Sequence, residues 1–347
     1  MVDQDAAPIP YDSMGFDPRL EAGFHSLGFE GTRPVQGAVI PIALEGHDVV
    51  ACAETGTGKT LAFAVPIIER LLSATPGYGD PAREAYTRAL ILAPTRELAV
   101  QIEDSIVGLT YNTPVTSAAV FGGVEMGPQE RALQAGVDIV VATPGRLMDH
   151  MRHSNTDFVR VDVLVLDEAD RMMDMGFWPD VQRIMAALPP DRQTLLFSAT
   201  LPGEIQRMAT DVLKSPRYVQ VGKRGGAART IDHQMVQVES GAKVDWVATF
   251  TKRDSTGPVL VFVRRKIDAD RVARTLASKS IKAAALHADR SQQERLSAVE
   301  GFRSGRLPVL VATDIAARGL DIEGIAHVIN FEVPDSPETY VHRVGRT

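Results

Sequence analysis

Val163-Leu164-Val165-Leu166-Asp167-Glu168-Ala169-Asp170 is the stretch on which the reading of this 347-residue chain turns. Four consecutive apolar residues predict a strand buried on both faces. Two adjacent carboxylates follow where that strand emerges from its sheet. In open α/β sheets the carboxyl ends of the strands border the crevice that binds ligands. Next to a phosphate group such a pair has a use: one carboxylate holds a divalent cation and the other orients or deprotonates an attacking water. By itself the pair also reads as the solvated start of a helix, so its meaning depends on what stands upstream.

Upstream stands Ala53-Glu54-Thr55-Gly56-Thr57-Gly58-Lys59-Thr60. The residues before it, DVVAC at 48–52, read as a strand, and an apolar helix follows over 61–72. Strand, glycine loop, Lys-Thr and helix form the setting that a phosphate-binding loop needs. Glycines let backbone amides converge on phosphate oxygens, and the helix N-terminus adds its dipole. Lys59 is placed to reach the β- and γ-phosphates, and the Thr60 hydroxyl to ligate Mg2+. The acidic pair and the loop together predict a site for ATP and Mg2+.

On either side of these two stretches, strands and helices alternate. RALILA (88–93), SAAVFGG (117–123), DIVVAT (138–143) and QTLLFSAT (193–200) read as strands, with helices from Thr95, near Gln129 and from Pro144. This order predicts a mostly parallel sheet covered by helices. Several strand ends carry hydroxyls, glycines and a basic neighbour: Thr95-Arg96, Gly122-Gly123, Thr143-Pro144-Gly145-Arg146 and Ser198-Ala199-Thr200. Such groups suit the phosphates of a polynucleotide, although each alone is also an ordinary loop or cap. Met172, Met173, Met175 and Trp178 read as core. Residues 1–20 read as an irregular lead-in.

VGKRGGAART at 221–230 is rich in glycine and basic residues and predicts a linker. The alternation then restarts with IDHQMVQV (231–238), a helix near 243–252, PVLVFV (258–263), a helix from Lys266, IKAAALH (281–287), a helix near 291–302, LPVLVAT (307–313), HVINFE (327–332) and a helix start at Ser336. A second parallel sheet of similar size is expected, without a phosphate loop. The predicted domains are therefore 1–220 and 231–347. Arginines gather at strand ends and loops of the second: Arg264, Arg265, Arg295, Arg318, Arg343 and Arg346.

Composition narrows the partners. The net charge is −7, with 17 Lys and Arg against 29 Asp and Glu in residues 1–220, a balance of −12. Residues 221–347 carry 20 against 15, a balance of +5. Nucleic acid contact must then use local basic sites and backbone amides. No apolar run is long enough for a membrane span, and the N-terminus lacks a signal-peptide core. The single cysteine, Cys52, reads as a core residue and predicts a reducing, cytoplasmic setting. The eight histidines show no zinc spacing.

AETGTGKT, PTRELA, ATPGR, Asp-Glu-Ala-Asp, SAT, ATDIAARGLD and HRVGR occur in this order, and the chain resembles DEAD-box RNA helicases from about Tyr11 to Thr347. The resemblance implies an α/β fold of two tandem RecA-like domains, with ATP in the cleft between them and single-stranded RNA crossing both. It implies that Gln36 reads the adenine edge, that Phe29 contacts or stacks on the base, and that Arg33 lies in the same nucleotide-recognition segment. Asp167 would hold Mg2+, and Glu168 would activate the water. Asp170 would link to Ser198 and Thr200 and couple hydrolysis to strand separation. Asp321 would contact the ribose, and Arg346 would be an arginine finger. RNA contacts would fall to Thr95, Arg96, Gly123, Thr143, Gly145, Arg146, Gln292, Arg295 and Thr313. A monomeric core with sequence-independent RNA binding is implied.

Two departures stand out. Thr32-Arg33-Pro34-Val35-Gln36 replaces the family's Pro-Thr-Pro-Ile-Gln, so Arg33 takes the place of a small residue. The family's last motif continues beyond Arg346-Thr347 with a further Gly-Arg, which predicts a core cut at its C-terminus that hydrolyses poorly. Two rivals remain open on sequence grounds: a DNA-directed motor, and an ATP-gated RNA clamp that rarely unwinds.

Overall fold

A computed structural model describes residues 6–53, 56–73, 86–153, 156, 158–201, 203–221, 231–253, 257–317, 324–334 and 337–345. The chain divides into two compact units, Met1–Gly222 and Lys223–Thr347. Val221, read as the start of the linker, belongs with the first: its N–H donates to the Cys52 carbonyl at 3.0 Å.

The first unit is built on a parallel sheet of seven strands: β1 Val49–Cys52, β2 Ala89–Leu92, β3 Ser117–Val120, β4 Ile139–Ala142, β5 Val163–Leu166, β6 Gln193–Ser198 and β7 Arg217–Gln220. Their spatial order is β3-β4-β2-β5-β6-β1-β7. The organising stretch forms β5, in register with β2 (Val165 opposite Ile91) and with β6 (Val165 opposite Leu195). Its side chains alternate between two cores. Val163 and Val165 pack with Phe63, Ile102 and Phe197 on one face, while Leu164 and Leu166 pack with Leu147, Met172 and Ile184 on the other. All four are buried, each stabilising the sheet by roughly 1.5–3 kcal/mol. A strand covered on both faces needs no polar alternation, which is why it reads as an unbroken apolar run.

Helices cover both faces. The helix Lys59–Ser73 begins two residues earlier than its apolar pattern suggested, because the phosphate-loop lysine and threonine form its first turn. Thr95 caps the helix Arg96–Thr110, its hydroxyl accepting from Leu98 N at 3.3 Å. The helices Trp178–Ala186 and Gly203–Val212, with β7, are elements that the alternation reading passed over. Within the lead-in Tyr11–Ser13 makes one 3-10 turn, and Pro18–Leu27 is a helix capped by Asp17.

The second unit has β8 Val259–Val263, β9 Ala283–Leu286, β10 Val309–Thr313 and β11 His327–Asn330 in the order β11-β8-β10-β9, all parallel. Among the described residues this sheet has four strands, so it is smaller than the first. Residues 231–238, read as its opening strand, enter no ladder, and Met235 is 99% exposed. A weakly alternating segment becomes a strand only where a neighbouring edge takes its backbone groups. No helix among the described residues is long and apolar enough to cross a membrane.

Candidate functional site

The carboxyl ends of β5, β6 and β1 are neighbours, and each delivers part of one constellation. β1 runs into the phosphate loop, of which Glu54 and Thr55 lie outside the described residues. Ala53 N donates to Ser198 O at 3.0 Å, tying the start of the loop to the end of β6. Lys59 is buried and folds back, its Nζ donating to Ala53 O at 3.1 Å. Gly56 and Gly58 have φ of 82° and 89°, a region that L side chains avoid.

β5 delivers the acids. Asp167 is 2% exposed, and its Oδ1 accepts from Glu168 N at 2.9 Å. Burial pushes its pKa up to about 6; Lys59 opposes the rise and Glu168 adds to it. That mutual influence sets the lysine of the loop and the acids in one electrostatic neighbourhood. Glu168 adopts φ 52°, a left-handed conformation that costs a non-glycine residue roughly 1–3 kcal/mol. Its Oε2 accepts from Arg171 Nη1 at 2.5 Å, with both side chains buried.

Asp170 completes the link to β6. Its Oδ2 accepts from Thr200 N at 3.1 Å and Thr200 Oγ1 at 3.0 Å. Ser198 does not meet Asp170 directly: its hydroxyl donates to Thr200 O at 2.6 Å. The expected three-residue link is thus a chain in which Thr200 is the middle member.

The nucleotide-recognition segment joins this site from the helix Pro34–Leu44. Gln36 is buried, with its Oε1 accepting from Tyr11 Oη at 2.8 Å and Arg33 N at 2.6 Å. Its Nε2 donates to Gly58 O at 3.0 Å. Tyr11 stacks on Phe24 at 4.2 Å, and burial raises its pKa to about 12, so it remains a donor. Phe29 is 38% exposed. Sequence reasoning missed Tyr11 and Arg171. Tyr11 lies 25 residues from its partner in a lead-in without periodicity, and an arginine one turn past a carboxylate carries no mark of what it will meet.

A second set gathers at the ends of β3, β4 and β2. Backbone bonds step across this edge: Thr143 N to Val120 O, Ala93 N to Ala142 O and Asp167 N to Leu92 O. Thr95, Gly123, Thr143 and Gly145 therefore share one sheet edge with the acids. Arg96 lies over Gly123 so closely that a Cβ there would fall 1.9 Å from its Nη1. Arg146 donates through both terminal nitrogens to Val124 O at 3.2 Å, and a Cβ on Gly145 would point into open space.

In the second unit Thr313 ends β10 and is buried, and Gln292 opens the helix Gln292–Arg303, to which half-buried Arg295 also belongs. Arg343 is excluded from phosphate binding by its own contacts. It pairs with Asp314 through Nε (2.6 Å) and Nη2 (2.7 Å) and donates to Asn330 Oδ1 and Glu332 O. Arg318, Asp321 and Arg346 lie outside the described residues.

The donor set fits Mg2+. A hard cation that keeps several waters needs one or two carboxylates plus phosphate oxygens. Asp167 supplies a buried carboxylate whose ionisation costs free energy without a cation beside it. Among the described residues no group of three or more His, Cys, Asp or Glu is placed to hold a metal by itself.

The sequence profile for "DEAD/DEAH box helicase" matches residues 33–208, and that for "Helicase conserved C-terminal domain" matches residues 242–347. The chain is 41% identical to DEAD-box ATP-dependent RNA helicase 52A of Oryza sativa subsp. japonica over 99% of its own length and 61% of that protein's. It is 39% identical to the ATP-dependent RNA helicase CshA of Listeria monocytogenes over 97% of its length and 63% of that protein's. The chain thus spans less than two thirds of these relatives. Among solved structures, S. cerevisiae Dbp5 bound to RNA and ADP BeF3 matches 97% of this chain and 85% of its own at 28% identity and a TM-score of 0.86. Mss116p bound to ssRNA and AMP-PNP matches all of this chain and 74% of its own at 30% identity and a TM-score of 0.88.

Proposed function

Because the chain belongs to the DEAD/DEAH box helicase family, we propose that it is an ATP-dependent RNA helicase, coupling ATP binding and hydrolysis to single-stranded RNA binding and local unwinding of short duplexes or remodelling of RNA–protein assemblies. The observation that carries this reading is the single sheet edge on which loop, acids and the Asp170–Thr200 link converge.

In this reading Gln36 and Phe29 recognise the base, and the loop amides with Lys59 hold the β- and γ-phosphates. Thr60 and Asp167 hold Mg2+, which when bound neutralises charge on the phosphate oxygens. Glu168 orients the attacking water and takes its proton. Asp170 relays the change through Thr200 to Ser198. Asp321 and Arg346 are assigned to the ribose and γ-phosphate by their motifs. Thr95, Arg96, Gly123, Thr143, Gly145, Arg146, Gln292, Arg295 and Thr313 contact the RNA backbone, and the 2′-OH distinguishes RNA from DNA. RNA in the Dbp5 and Mss116p structures supports RNA over DNA as partner. A cytoplasmic setting belongs to the same proposal, supported by a sequence that carries a single cysteine, Cys52.

The test is ATP hydrolysis with RNA, with DNA and with neither, in wild type and Glu168→Gln. RNA alone should stimulate turnover. The variant should lose about 10²–10⁴-fold in turnover, the span of general-base catalysis, while keeping ATP and RNA binding. Equal stimulation by DNA favours the DNA motor; unchanged turnover in the variant removes Glu168 from the chemistry.

A further inference from the structure

Arg33 stands where the family carries a small residue, and its contacts converge on the phosphate loop. Its Nη1 donates to Gly56 O at 2.5 Å. Its Cδ lies so near Gly58 that a Cβ added there would fall 2.9 Å from it. Its backbone N–H donates to Gln36 Oε1, and the Gln36 Nε2 donates to Gly58 O. One residue therefore reaches both glycines of the loop, one through its guanidinium and one through its contact with the Gln36 amide. The same backbone N–H, with Tyr11 Oη, fixes which end of that amide faces the loop, since an amide oxygen accepts two donors and the nitrogen must then take the other side.

We propose that Arg33 is a strap for the phosphate loop, a positioning residue that holds Gly56–Gly58 in shape before a nucleotide arrives. Glycines have more conformational freedom to lose than any other residue, so a loop with two of them in the left-handed region is costly to order at the moment of binding. Ordering it beforehand moves that cost out of the binding step. The change from a small residue to arginine thus adds a tether from the base-recognition segment to the phosphate segment. The tether acts on nucleotide affinity more than on the chemical step, and this consequence for affinity rests on the assignment of the loop to ATP.

The Arg33 side chain is solvent-exposed, so Arg33→Ser leaves the cores untouched. The decisive measurement is amide hydrogen exchange of the nucleotide-free protein. In Arg33→Ser, exchange at Gly56, Thr57 and Gly58, taken relative to Val140–Ala142 in the same sample, should rise about fivefold or more, as for a locally loosened segment. The KM for ATP should rise about 3- to 10-fold with a smaller change in kcat, the pattern of lost uniform binding. An unchanged exchange ratio overturns the strap, whatever happens to affinity; so does a loss carried by kcat with KM unmoved. Since the exchange arm uses no nucleotide, a protein that fails to hydrolyse ATP would refute the helicase assignment and leave the strap to be judged separately.

Discussion

Gly58 has a φ of 89° and lies so close to Gln36 that an added Cβ would fall 2.5 Å from Nε2. Two penalties coincide there: a left-handed backbone and a clash with a buried amide that cannot easily move, because Tyr11 and Arg33 already hold it. Gly58→Ala should therefore displace both the loop and the base-recognising amide. Nucleotide affinity, read by titration with a fluorescent ATP analogue, should fall by about tenfold or more, the equivalent of the 1–3 kcal/mol such strain costs. Glu168 shows the opposite case, a non-glycine residue held at φ 52°. Its contact with Arg171 and its place directly after a buried strand outweigh the backbone preference. Neither feature can be read from the residue type. Gly58 was legible because the loop motif names it; the Glu168 backbone was not, because strain arises from what surrounds a residue.

At the scale of elements, the short helix Ala169–Asp174 that follows β5 and the loop after β6 are joined through Asp170 and Thr200. Thr200→Val removes one donor to a buried carboxylate at nearly constant shape. If this bond transmits hydrolysis to RNA, unwinding of a short labelled duplex should fall about tenfold further than ATPase, since a donor to a charged group contributes roughly 1.5–3 kcal/mol. Equal losses in both assays would show that the bond supports the fold alone. The helix Pro144–Arg152 carries a second testable feature. His150 is fully buried, its Nε2 3.4 Å from Gln129 Oε1. Burial, with Arg146 and His153 nearby, lowers its pKa, outweighing Glu130 and Asp149. The folded state therefore resists a proton that the unfolded chain accepts near pH 6.5, so this contribution to stability is present above that pH and lost as pH falls below it. The melting temperature between pH 8 and 5 should decline less steeply in His150→Asn than in wild type. The β-α alternation was visible in sequence for most of these elements. The strand expected at 231–238 was not realised, because an apolar pattern states that a segment could be covered and not which edge would receive it.

For the molecule as a whole, charge is the property with the widest consequence. With a net charge of −7, divided as −12 over residues 1–220 and +5 over residues 221–347, the chain as a whole offers RNA no general attraction. Contact must be concentrated on a few sites, and the proposed basic ones in described positions are Arg96, Arg146 and Arg295. About three neutralised phosphates on a single strand predict a slope near −2 for log Kobs against log salt. A slope steeper than about −5, measured by fluorescence anisotropy with a short RNA, would require a basic surface that these residues do not supply. The two units differ in size as well as charge, and the larger carries the whole loop-and-acid constellation on its own sheet edge.

The sequence alone determined the strand of four apolar residues, the acids after it, the glycine loop and the division into two α/β units. Those features rest on local patterns: burial on both faces imposes an apolar run, and a phosphate loop imposes glycine, lysine and threonine at fixed spacing. Only the tertiary structure decided that β6 lies between β5 and β1, so that Ser198 and Thr200 reach the loop and the acids at once. It also decided that Tyr11 and Arg33 hold Gln36, and that Arg343 is consumed by Asp314 inside its own unit. The reason is physical. Burial is written into each segment by its own residues, whereas a hydrogen bond between residues tens of positions apart depends on which elements the packing of the cores makes neighbours.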